Sequence, residues 1–70
     1  MERRLFADGM SLAVRDQPGL VEMPPTQLDC IAELLLAEYG TSPLVRGYAA
    51  GVRIISAAQR DRALDLERVS

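Results

Sequence analysis

The stretch from Ser42 to Ser70 constrains this chain more than any other. Arg46, Arg53 and Arg60 recur at a spacing of seven. At about 100° per residue they make one nearly straight row on a helix. Val45, Tyr48, Val52 and Ile55 recur on the opposite side. Such a helix has an apolar side for a core and a side that presents positive charge. The charged side is suited to gripping another molecule rather than to making and breaking bonds.

The chain has 70 residues, which permits one small domain. Chains this short bury a modest fraction of their surface and usually draw support from disulfides, a metal or a second subunit. Cys30 is the single cysteine, so an internal disulfide is ruled out. Without histidine the usual zinc ligand sets cannot be assembled within one chain. A second subunit or a large partner is then the expected source of extra stability. With 49% hydrophobic and 26% charged residues, the composition is that of a folded protein.

The formal net charge of −2 argues against a bulk binder of DNA. Charge is uneven along the chain. Residues 24–45 hold Asp29, Glu33 and Glu38 and no base, whereas residues 46–70 set five arginines against Asp61, Asp65 and Glu67. Every base is arginine, lysine and asparagine are absent, and alanine is frequent. That usage suits a GC-rich bacterial genome, or a phage or plasmid living in one. No apolar run approaches the roughly 20 residues needed to span a bilayer. Asp8 and Gly9 interrupt any apolar segment behind Arg3 and Arg4. A cytosolic location is expected, which also suits a free thiol.

The first 23 residues read as strands. Asp8-Gly9 is a hairpin-turn signal, because both residue types tolerate positive φ. Closing it puts Leu5, Ala7, Met10, Leu12 and Val14 on one face of a sheet, with Arg4, Phe6, Ser11, Ala13 and Arg15 on the other. Phe6 falls on the polar side. Gln17-Pro18-Gly19 suits a type II turn, after which Leu20–Met23 pairs back and sets Arg15 opposite Glu22.

Pro24-Pro25 ends the sheet. Thr26 is the expected N-cap of a first helix, 26–39, with Gly40 as its C′ residue. Ser42 caps a second helix with Pro43 at its first position. That helix covers 42–61, and an extension to 69 is left open. The expected fold class is therefore α+β, a small antiparallel sheet of two to three strands followed by two α-helices, β-β-β-α-α.

Three surfaces could carry function. The first is the arginine row, with Ala49, Ala50 and Ala57 beside it. Guanidinium is a planar fork of donors suited to carboxylate and phosphate. The bland alternative is a solvated outer face. The second is Phe6, the aromatic on the polar side of the expected sheet. The third is a patch of Cys30, Leu34 and Ala37 on the first helix. It lies apart from the main stripe of Leu28, Ile31, Ala32, Leu35 and Tyr39. Either the second helix wraps over this patch, or it is an interface for a second copy or another protein. The second helix also carries Gly47 and Gly51, whose spacing lets two helices approach closely. Its a/d-like series runs Val45, Tyr48, Val52, Ile55, Gln59, Arg62, Leu66 and Val69.

No histidine is present to serve as a near-neutral base, and no glycine-rich phosphate loop is found. Cys30 has no histidine partner and sits on an apolar helix, as an inert core or interface thiol would. Neither an enzyme nor a cofactor is expected.

Residues 20–58 resemble a ribbon-helix-helix DNA-binding domain: a short strand Leu20–Met23, a proline, a helix, the turn Gly40-Thr41-Ser42 and a second helix. The resemblance implies a dimer whose paired strands enter the major groove. The chain departs from it by placing Glu22 on the ribbon, by a preceding hairpin and by its acidic balance. Two functions are expected. One is a non-enzymatic protein-binding regulator or inhibitor, a homodimer in the bacterial cytosol that docks on a larger host machine. By analogy of size, phage- or mobile-element-encoded inhibitors such as anti-CRISPR proteins are of this kind. The other is a dimeric repressor or antitoxin of ribbon-helix-helix type.

Overall fold

A computed structural model describes the backbone of residues 2–69 and the side chains of residues 3–64. It contains α1 (Glu2–Arg15), the single turn α2 (Gln17–Leu20), α3 (Pro25–Tyr39) and α4 (Pro43–Val69). No strand occurs among the described residues. The expected β-β-β-α-α arrangement is therefore wrong, and the fold is all-α.

The first 23 residues form helices because their glycine signals serve packing rather than chain reversal. Asp8-Gly9 lies in the middle of α1, and Gly9 is buried. A Cβ built at Gly9 would overlap the Leu44 carbonyl oxygen and fall 2.7 Å from the Tyr48 backbone nitrogen. One built at Gly47 would overlap the Phe6 carbonyl, and one at Gly51 would lie 2.5 Å from the Ala13 Cβ. Gly9 and Ala13 on α1 thus meet Gly47 and Gly51 on α4, and the two backbones touch. Because Phe6 lies level with Gly47 and Ala13 with Gly51, α1 and α4 run in the same direction.

Pro18 lies in the first turn of α2 instead of a type II turn. That turn needs positive φ at Gly19, and no described residue has it. Leu20 is buried at the end of α2, so Leu20–Met23 is not a strand and the Arg15–Glu22 cross-strand pair does not form. Pro24 holds an extended conformation as the N-cap of α3, at φ −63° and ψ 149°, and Pro25 takes the first helical position. Thr26 is therefore inside the helix rather than capping it. Gly40 keeps a right-handed conformation, φ −63°, rather than the left-handed one expected of a C′ residue.

α4 is the axis of the molecule. α1 packs along one side of it and α3 returns along another. The buried apolar residues are Ala13, Leu20, Leu28, Ala32, Ala49, Val52 and Ile55, with Ser56 among them. Alanine and one-turn spacing make this a thin core. The extents are 47 × 20 × 17 Å, and the radius of gyration is 13.1 Å, against about 11 Å for a compact domain of this length.

Candidate functional site

Three side chains of α4 fasten the segment that joins α1 to α3. The Tyr48 hydroxyl donates to Asp16 Oδ2 at 2.8 Å, at the end of α1. Gln59 Nε2 donates to the Val21 carbonyl at 2.8 Å, and buried Ser56 Oγ donates to the Pro25 carbonyl at 3.1 Å. Burial raises the Tyr48 phenol above the ordinary tyrosine value, and the hydrogen bond to Asp16 and the Asp16 charge push it the same way. Gln59, an apparent break in the apolar series of α4, is thus a tether. Leu66 and Val69 of that series lie outside the described side chains.

With this frame fixed, the three predicted surfaces can be located. Arg46, Arg53 and Arg60 are all exposed, but they have different company. Arg46 lines a shallow hollow with Arg3, Phe6 and Pro43. Arg60 Nη2 pairs with Asp29 Oδ2 of α3 at 2.6 Å, which draws it into a bridge between helices. Arg53 has no ion-pair partner among the described residues. Ala49, expected beside the row, is fully buried. Phe6 sits at the α1–α4 contact with its ring partly exposed next to Arg46.

Cys30, Leu34 and Ala37 point away from α4, and Leu34 is 58% exposed. α4 covers only the Leu28–Ala32 side of α3. The idea that the second helix wraps over both stripes does not hold. Cys30 is an exposed thiol rather than a core one.

A fourth surface has no counterpart in the sequence reading. Between α1–α2 and α4 runs an open apolar groove of about 590 Å³, lined by Met10, Val14, Val21, Gly51, Ile54 and Ala58. Asp61 and Arg62 stand at one end. Val14 is 64% and Ile54 57% exposed. Ile54 is the residue that could have signalled it. It is a large apolar side chain on α4 that belongs neither to the Val45–Ile55 stripe nor to the arginine row. Reading Val14 as the inner face of a strand hid its partner.

No described group of three or more histidine, cysteine, aspartate or glutamate side chains could hold a metal ion. No helix among the described residues is long and apolar enough to cross a membrane. Comparison with protein-family models, with curated proteins and with solved structures finds no match to this chain.

Proposed function

We propose that this chain is a non-catalytic regulator that acts by binding another protein, in the manner of small phage- or mobile-element-encoded inhibitors. The observation that carries the reading is the outer face of α3. Leu34 stands 58% exposed between Cys30 and Ala37, with none of the described residues over it. A large aliphatic side chain held outward on a rigid helix gains about 1.5–3 kcal/mol when a partner buries it fully. Arg53 and the Arg60–Asp29 bridge supply a charged margin on the neighbouring helix. The DNA-binding alternative loses its basis, because the ribbon strand it requires is a helix end and a turn.

The test is affinity capture from a bacterial host lysate with the wild-type chain and with Leu34→Glu. Helical content is checked by circular dichroism. The reading expects a protein retained by the wild type and lost from the folded variant. Equal capture by both moves the site off α3.

A further inference from the structure

We propose that the groove between α1–α2 and α4 is where a second copy of this chain docks, α4 against α4 in opposite directions, with the two-fold axis at Ile54. This goes beyond protein binding through α3 and uses a different surface.

Area argues for it first. A folded monomer of 7.7 kDa has an accessible surface of about 4300 Å² by the usual mass scaling. This chain exposes 5259 Å². The excess, roughly 950 Å², is close to the ~800 Å² that each partner loses in a standard-size interface. The core inside the monomer is small, and a single cysteine leaves no disulfide to reinforce it. Chains in this position draw on oligomerisation.

The groove is the part of the surface best suited to be covered. Val14, Val21 and Ile54, three large apolar side chains, are exposed around one concave site. The outer face of α3 offers Leu34 as its one exposed large aliphatic side chain.

The pattern along α4 says what covers it. A two-fold contact must be self-complementary, so each residue meets the image of another on the same patch. Counting outward from Ile54, α4 places Ala50 four residues before and Ala58 four residues after. Reversing the helix about Ile54 brings Ala50 level with Ala58 of the other copy, on either side of the seam, and sets Ile54 beside its own image. Arg46 lies eight residues before Ile54 and Asp61 seven after. The reversal therefore brings Asp61 to the level of the other copy's Arg46, twice in the dimer. Neither side chain has an ion-pair partner among the described residues of its own chain. At about 100° per residue Arg62, eight residues after Ile54, falls on the opposite side of Ile54 from Arg46, whereas Asp61 falls on the same side. Small residues on the facing helices permit close approach, and the side chain of Ile54 enters the partner's groove beside Met10 and Val14.

The experiment is sedimentation equilibrium of the full chain over a range of concentrations, with circular dichroism as the check on folding. The wild type is expected to be a dimer. Ile54→Glu, at an exposed position, is expected to be a folded monomer, because it stacks two carboxylates at the axis. Arg46→Glu and Asp61→Arg are each expected to weaken association by roughly tenfold, since each replaces two attractive pairs with repulsive ones. The double variant carrying both is expected to recover wild-type association. A monomeric wild type overturns the proposal, as does a dimer indifferent to Ile54→Glu. Failure of the double variant to recover overturns the antiparallel register. Leu34→Glu is expected to leave association unchanged, so failure of the α3 reading and failure of this one are distinguishable.

Discussion

Replacing Gly9 with alanine tests the central packing claim, because ordinary helix chemistry predicts the opposite sign. In an exposed helix interior the change stabilises by about 1 kcal/mol. Here the added carbon would meet the Leu44 carbonyl and the Tyr48 backbone nitrogen, both parts of a helix that cannot rotate out of the way. Nothing flexible is in contact, so α1 has to lift off α4. Overpacking of this kind costs about 1–3 kcal/mol, and rigid backbone on both sides points to the upper end. Less the propensity gain, the net loss is about 2 kcal/mol. Each kcal/mol shifts the Tm of a domain this size by about 4–8 °C, so Gly9→Ala should melt roughly 8–16 °C below wild type. Gly19→Ala is the control. It too lies in a helix with φ below zero, but a Cβ there meets nothing within 4 Å. Stabilisation of about 0.4–1 kcal/mol is expected from the restricted unfolded chain. Thermal unfolding followed by far-ultraviolet circular dichroism, at one protein concentration, reads both. A Gly9→Ala protein as stable as wild type would refute the close α1–α4 contact.

Further outcomes follow from the contacts that α4 makes with Asp16 and Asp29. The raised Tyr48 phenol means that folding favours its neutral form. That contribution is complete below the unfolded value of about 10 and is lost as pH climbs from there through the folded value. Denaturant midpoints should therefore fall above about pH 10. Tyr48→Phe should cost about 0.5–1.5 kcal/mol at neutral pH through the lost bond to Asp16 and fall less steeply in the alkaline range. Arg60→Ala should cost no more than about 1 kcal/mol, because the Asp29 pair is open to water, and molar salt should erase even that difference. A larger loss that persists in salt would mean that the bridge carries the α3–α4 packing.

After Pro24 the chain's local signals point to helices, although Thr26 is not the cap and Gly40 is not left-handed. Pro25 and Pro43 occupy helix starts, and Leu28, Ala32, Val52 and Ile55 carry the three- and four-residue spacing of a buried contact. Before Pro24 two patterns overlap. Leu5, Ala7, Met10, Leu12 and Val14 alternate as a strand would, while Phe6, Gly9 and Ala13 repeat as a helix would. β-branching favours the second pattern, since Val14 and Val21 are the only β-branched residues in the first 23 and alanine, leucine, methionine and arginine prefer helix. The deciding fact is tertiary and lies outside any local window. Gly47 and Gly51 form a shallow seat on α4, and it accepts Gly9 and Ala13 from a segment more than thirty residues away. Phe6, out of place on a strand, is in place on that helix. The candidate site was legible in the same measure. Leu34 and the arginines could be named from spacing, but the Arg60–Asp29 bridge and the groove require knowing which helix lies beside which.

The manner in which α1 joins α4 also explains why so much apolar surface remains. Two helices that touch through glycine and alanine gain close van der Waals contact and bury little side-chain area, because little side chain is present at the seam. The larger residues are displaced to the flanks. Leu5 and Leu12 stand on one side of α1, Met10 and Val14 on the other, and all but Met10 are substantially exposed. Substituting larger residues at the seam would separate the helices rather than fill a void, so the chain cannot recover that area internally. A short chain with a thin core and no disulfide can then gain most by covering its flanks with protein. On this view the same glycines that fix the monomer's fold also determine that its strongest unsatisfied contacts face outward. In the proposed dimer, association follows from that packing, and the flank at Ile54 is where it starts.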